Sequence, residues 1–153
     1  MYGYIHIYVI DKEICNCYVF RKISSNITAL YDNELSSSGL KITQFAILQS
    51  LKNLKKSNLK TLASKMNYNR STLGRNIKKL EKKQFVKITK ESDKRELIMR
   101  LTNNGSEALK NAQSSWGILN EKITGILGNK KKKLLLEILN NKELNAVKKN
   151  IFS

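Results

Sequence analysis

The hydrophobic period of this chain drops from three or four residues to two at Phe85, and lengthens again at Thr102. Between those points "FVKITKE" and "ELIMRLT" flank the polar turn "SDKR", the pattern of two short strands joined as a β-hairpin. Three helical segments precede the hairpin. Thr43 stands before "QFAILQSLKNL", Asn58 before "LKTLASKM" and Asn69 before "RSTLGRNIKKLEKKQ". Each is a residue type whose side-chain oxygen accepts a hydrogen bond from an otherwise orphaned helix N–H. Three capped helices followed directly by a hairpin is the order of a winged helix-turn-helix.

The flanks are helical as well. From about residue 11 to residue 35, Phe20, Ile23, Ile27, Leu30 and Tyr31 recur at spacings of three and four, and Gly39 in "SSSGLK" supplies a left-handed stop. Thr102 opens a long helix in which Leu109, Ala112, Trp116, Leu119, Ile123 and Ile126 approach a heptad seam, so it should pack along a partner helix. A final helix is expected from "NKKKKLLLEIL" to "NAVKKNIF". The chain has no proline, so caps rather than breakers separate these segments. The outer helices carry more apolar surface than one protomer of this size covers, which predicts a homodimer. The expected organisation is an N-terminal extension at 1–10 with weak strand-like alternation, dimerisation helices at 11–40 and 103–153, and a DNA-binding lobe at 41–102.

Charge points to the partner. The net charge of +17 costs self-repulsion in the folded state and signals a polyanion. From Thr43 to Leu101 there are 16 basic against 4 acidic residues, so the excess is concentrated in the lobe. A dimer carries twice +17, and binding to duplex DNA should weaken steeply with salt, with a log–log slope of about −0.9 per neutralised phosphate. Several classes are excluded cheaply. No apolar run reaches the roughly 18 residues of a membrane span. The N-terminal "MYGYIHIYVIDKE" lacks the basic lead and small-residue cleavage site of a signal peptide. Two cysteines two residues apart are not a secreted disulfide framework, so a cytoplasmic location is expected. His6 is the only histidine and no glycine-rich phosphate loop is present, which argues against an enzyme and implies no metal or cofactor.

Within the fourth helix, Leu73, Ile77 and Leu80 share one stripe at about 100° per residue, while Ser71, Arg75, Lys78, Lys79 and Lys82 occupy the opposite face. Small hydroxyls near a helix N-terminus, with arginine one turn later, suit a major groove. Arg70, Thr72 and Asn76 flank this face. Taken alone, such a face is equally well a solvated basic surface; the hairpin that follows favours DNA. At the hairpin tip, Asp93 and Arg95 flank Lys94. A charge-assisted bond between the first two would aim the guanidinium into a narrow minor groove, the alternative being an ordinary surface ion pair. Lys130 to Lys133 form either a surface patch or a contact to flanking phosphates.

The run "TQFAILQSLKN … LKTLASKMNYNRSTLGRNIKKLEKKQFVKITKESDKRELIMRLTNNG" resembles the MarR family of bacterial transcriptional regulators, a likeness that extends from about Cys15 onward. Its most specific piece is the Asp-x-Arg wing followed by a strand and Leu-Thr-x-x-Gly, here Asp93, Arg95, Leu101, Thr102 and Gly105. The resemblance implies a mainly α fold with a small β-hairpin wing, whose long terminal helices intertwine in a homodimer. It also implies a pseudo-palindromic operator, usually repressed, and recognition roles for Ser71, Thr72, Arg75, Asp93 and Arg95. Release by a small aromatic or anionic effector, or by an organic hydroperoxide, completes the expectation. The competing reading is a non-specific basic nucleoid protein.

"EICNCYVF" holds both cysteines, Cys15 and Cys17. On a helix they would point about 200° apart, Cys17 into the stripe of Phe20, Ile27, Tyr31 and Leu35, and Cys15 away from it. Two sulfurs alone are a poor zinc site. Cys17 is read either as a small packed residue or as a redox switch. The second reading rests on a resemblance to the hydroperoxide-sensing branch of the family, whose signature cysteine has a tyrosine fourteen residues on, as Cys17 has Tyr31. Arg21 and Ile42 stand where that branch places further tyrosines; Arg21 beside the thiol would favour thiolate.

Overall fold

The computed structural model describes residues 9–10, 13–90 and 96–144. The elements are β1 (Val9–Ile10), β2 (Glu13–Ile14), α1 (Asn16–Glu34), a 3-10 turn (Ser36–Ser38), α2 (Ile42–Leu54), β3 (Lys56–Asn58), α3 (Leu59–Met66), α4 (Arg70–Lys82), β4 (Val86–Lys90), β5 (Leu97–Leu101) and α5 (Asn103–Leu139). The chain is mainly helical, with a small antiparallel sheet of order β3-β5-β4. Two compact units divide it, Met1–Trp116 and Gly117–Ser153.

The first unit holds the core. Leu35, Leu40, Ile47, Leu48, Leu51, Leu62, Leu73, Leu80, Val86 and Leu109 are the largest fully buried side chains, drawn from α1's exit, all three lobe helices, the sheet and α5. Phe45 stacks on Trp116 with ring centroids 5.8 Å apart, an interaction worth about 0.5–1.5 kcal/mol beyond burial. The expected apolar stripe of α4 is fully inside, with Leu73, Ile77 and Leu80 at 0, 3 and 0% exposure. Asn58 and Asn69 act as caps, their side chains accepting from Thr61 N and Ser71 N. Gly39 takes the left-handed conformation at φ 70, closing the 3-10 turn rather than α1 itself.

Four expectations are corrected. Residues 13 to 15 are not helical: Glu13 and Ile14 pair antiparallel with Ile10 and Val9, and Cys15 is the extended residue ahead of α1. α2 begins at Ile42, so Thr43 is inside the helix and is not its cap. The cap is non-local: Asp32 Oδ1 accepts from Ile42 N at 2.8 Å, and Gln44 Oε1 accepts from Lys41 N at 3.3 Å. A third strand, β3, joins the hairpin in the register Lys56↔Arg100, Ser57↔Met99 and Asn58↔Ile98. Lastly, Cys17 is exposed in the protomer rather than directed inward. Along α1 only Tyr31 is buried; Phe20, Ile23, Ile27 and Leu30 are 36–51% exposed.

α5 starts where expected. Thr102 Oγ1 accepts from Gly105 N at 3.0 Å and donates to Gln84 O at 2.7 Å, while Thr102 N donates to Phe85 O at 3.1 Å. Gly105 lies so close to this corner that an added Cβ would stand 2.1 Å from Phe85 O. Within the second unit the helical path breaks at Gly128 (φ 67, ψ 169), the junction expected between the long and final helices. The final helix stops at Leu139, and Asn141 Oδ1 then accepts from Leu144 N at 2.9 Å. The expected helix is thus interrupted at Asn140 and Asn141, helical backbone resumes at residues 142–144, and its remainder from residue 145, with residues 1–8 of the N-terminal extension, lies outside the described residues.

Candidate nucleic-acid interface

α3 ends at Asn67, whose left-handed backbone (φ 51) turns the chain toward α4. Two residues later, Asn69 is extended and its Oδ1 accepts from Ser71 N at 2.9 Å, so the first turn of α4 is organised by its own sequence. With Leu73, Ile77 and Leu80 locked inside, helical geometry leaves the other side chains no choice of face. Arg70, Ser71, Thr72, Arg75, Lys78, Lys79 and Lys82 are all exposed, and Asn76 is half-buried. Arg75 Nη2 reaches Thr72 Oγ1 at 3.5 Å, and Asn76 Nδ2 donates to Thr72 O at 3.0 Å. The guanidinium retains most of its donors for another partner.

Ser71, Arg75 and Lys78 look away from the core. Lys82 continues that face toward the C-terminal end of α4, Asn76 and Lys79 flank it, and these three line an open cleft of about 500 Å³ with Lys83, Lys41 and Gln44. Lys41 Nζ pairs with Asp32 Oδ2 at 3.7 Å, and Lys83 Nζ donates to Gly39 O. The cleft was not legible in the sequence, because it forms where α4 meets a helix some thirty residues earlier in the chain.

The wing strands are built but the tip is not described: Lys90 pairs with Leu97, and Asp93, Lys94 and Arg95 lie outside the described residues. At the base of the tip, Glu96 Oε2 accepts from Asn58 Nδ2 at 2.9 Å. The same asparagine caps α3, so one side chain anchors the start of β5 to the helix-turn-helix. Lys87 and Lys56 both stand opposite Arg100, placing three cations in one row on one face of the sheet. Arg100 Nη1 also donates to Thr89 Oγ1 at 3.0 Å.

Cys17 is the second residue of α1 and exposed, whereas Tyr31 is buried. Fourteen residues of straight helix separate them by about 21 Å, so within one protomer they do not meet. Burial pushes the Tyr31 phenol above its ordinary pKa of 10.0, favouring the neutral form. Lys130 to Lys133 are exposed in the second unit, with Lys133 3.9 Å from Glu137. Among the described residues no helix is long and apolar enough to cross a membrane.

Residues 40–97 match the model of the MarR family. The HTH-type transcriptional regulator SarZ of Staphylococcus aureus is 34% identical over 115 residues, which span 73% of this chain and 76% of that protein. The transcriptional regulator MosR of M. tuberculosis, crystallised in complex with DNA, superposes with a TM-score of 0.76 at 27% identity, covering 87% of this chain and 97% of that one. A MarR variant from E. coli complexed with operator DNA gives a TM-score of 0.71 at 20% identity over 79% and 88% of the two chains, a likeness of fold.

Proposed function

This chain belongs to the MarR family and is a transcriptional regulator rather than an enzyme, and from that premise we propose that it is a cytoplasmic homodimeric repressor of a pseudo-palindromic operator. The observation that carries the reading is the division of α4, apolar residues fully buried on one side and Ser71, Arg75 and Lys78 exposed on the other. In the proposed complex α4 enters the major groove. Arg75 makes bidentate bonds to guanine, Ser71 and Thr72 reach bases or phosphates, and Arg70, Asn76, Lys78, Lys79 and Lys82 contribute donors and charge. Asp93, Lys94 and Arg95 form the wing tip, with Arg95 in the minor groove. Relatives of known structure have been crystallised with DNA, MosR at 27% identity among them. The half-exposed row of Phe20, Ile23, Ile27 and Leu30 on α1 is the surface proposed to close the dimer.

Release is proposed to follow a small aromatic or anionic effector or oxidation of Cys17, whose exposure leaves the thiol open to a hydroperoxide. Tyr31 of a partner subunit would complete that switch.

Selection of binding sites from random duplexes, followed by footprinting, tests the reading. A palindromic site is expected, with Arg95→Ala weakening binding at least tenfold and Arg75→Ala relaxing specificity while the dimer persists. Equal affinity for every duplex of one length would instead establish a non-specific basic nucleic-acid protein. For the switch, DNA-bound dimer is titrated with an organic hydroperoxide, using Cys17→Ser and Cys15→Ser for comparison. Release that survives Cys17→Ser removes Cys17 from the mechanism.

A further inference from the structure

We propose that the cleft between the first turn of α2 and the C-terminal half of α4 is a phosphate-binding site, one in each protomer. Its walls are Lys79, Lys82 and Lys83 with Asn76 on one side and Lys41 with Gln44 on the other, four ammonium groups and no carboxylate. Neither Lys79 nor Lys82 takes part in an ion pair among the described residues. Lys83 Nζ donates to a neutral carbonyl, that of Gly39, rather than to a carboxylate. The nearest acid is Asp32, which pairs with Lys41 through Oδ2 at 3.7 Å while Oδ1 accepts from Ile42 N at 2.8 Å. It thus leaves most of the positive charge of the cleft uncompensated.

Gathering like charges around a concavity is unfavourable unless a partner of opposite sign enters. Lysines bind phosphate as point charges, and a group with several oxygens and more than one negative charge offsets more of the cleft's charge than chloride does. Gln44 adds a donor of a different kind. It is only 4% exposed, and its Oε1 is engaged by Lys41 N, so its NH2 is the part left to meet a ligand. The volume of about 500 Å³ accommodates a small phosphorylated molecule. The site adjoins the polar face of α4, which Lys79 and Lys82 share with Arg75, and extends from there to the first turn of α2.

The phosphate has two sources. One is a free polyphosphorylated anion; the other is a backbone phosphate of the duplex flanking α4, which rests on the DNA reading above. Two arms distinguish them. In the first, full-length protein without DNA is titrated calorimetrically with pyrophosphate at ionic strength fixed with potassium chloride. A free-anion site gives saturable binding of one per protomer, weakened at least tenfold in Lys79→Gln/Lys83→Gln; both side chains are exposed, so neither substitution opens the core. In the second, the affinity of wild type and variant for duplex DNA is followed across salt concentration. A flanking-phosphate site gives no saturable pyrophosphate binding. Instead the variant binds DNA more weakly, with a salt slope shallower by about 0.9 for each phosphate no longer neutralised. The proposal fails if neither measurement distinguishes variant from wild type. Wild type that binds pyrophosphate but no DNA sinks the operator reading and leaves the free-anion site standing.

Discussion

Replacing Gly105 with alanine sets two effects of opposite sign against each other. Gly105 is the third residue of α5, and Gly→Ala in a helix ordinarily stabilises by up to about 1 kcal/mol. Here the new methyl would stand 2.1 Å from Phe85 O, 2.9 Å from Phe85 C and 3.0 Å from Leu101 Cδ1. Non-bonded heavy atoms attract only at about 3.5–4.0 Å, so the first turn of α5 and the Phe85 corner must separate by more than an ångström. Two of the three close atoms are backbone, which cannot swing aside as a side chain would. Overpacking of this kind costs roughly 1–3 kcal/mol. Separation also stretches the bonds from Thr102 to Gln84 O and Phe85 O, each worth about 0.5–1.5 kcal/mol. The expected net loss, after the helical gain, is about 1–5 kcal/mol. Gly125 is the control: it lies in the same helix, and nothing is within 4 Å of the position its Cβ would take. Gly125→Ala should therefore stabilise by up to about 1 kcal/mol. Urea unfolding followed by far-UV circular dichroism, at one protein concentration for all three proteins, measures both. If Gly105→Ala is as stable as Gly125→Ala, the close approach to Phe85 is wrong.

Leu73→Ala should cost about 2–5 kcal/mol, since Leu73 is fully buried where α4 meets the core; loss under 1 kcal/mol by the same unfolding assay would contradict the packing of α4. Asn69→Ala should cost about 0.5–2 kcal/mol and Asn69→Asp much less, because the aspartate keeps an acceptor for Ser71 N. Amide exchange in the first turn of α4 should speed up only in the alanine variant. Tyr31→Phe tests the buried phenol. A pKa raised in the folded state means that unfolding releases a proton, so this residue's contribution is complete below pH 10 and lost as pH rises through the folded value. The stability gap between wild type and Tyr31→Phe should narrow above pH 10; a constant gap refutes it.

Features governed by neighbours in the chain were legible in advance. Asn58, Asn69 and Thr102 cap their helices through bonds spanning two or three residues, and the stripe of Leu73, Ile77 and Leu80 follows from helical period alone. Gly39 adopted the left-handed stop its position announced. Distant partners decided the remainder. Lys-Ser-Asn has no apolar alternation, and β3 exists because β5 offers it a free edge. Thr43 lost the cap of α2 to Asp32, which arrives from α1 and shifts the helix start by two residues. Antiparallel pairing with Val9 and Ile10 delays the helix to Asn16 and leaves Cys15 outside it, while Cys17 joins the projected stripe of α1, which is itself exposed in the protomer. In the site, periodicity revealed the exposed face of α4. Nothing local could reveal Gln44, Lys41 and Lys83 gathering beside it, nor Glu96 fastened to Asn58.

Asp32 closes the first turn of α2 from outside the lobe, with one oxygen on Ile42 N and the other facing Lys41. Leu35 and Leu40 are buried in the same core on the N-terminal side, and Ala108, Leu109 and Ala112 on the C-terminal side. A fragment excised at 41–102 would therefore begin on an uncapped helix and open its interior at both ends. Anyone grafting this helix-turn-helix onto another scaffold must carry residues from Tyr31 through Trp116, for the reading head and its flanks form one cooperative folding unit.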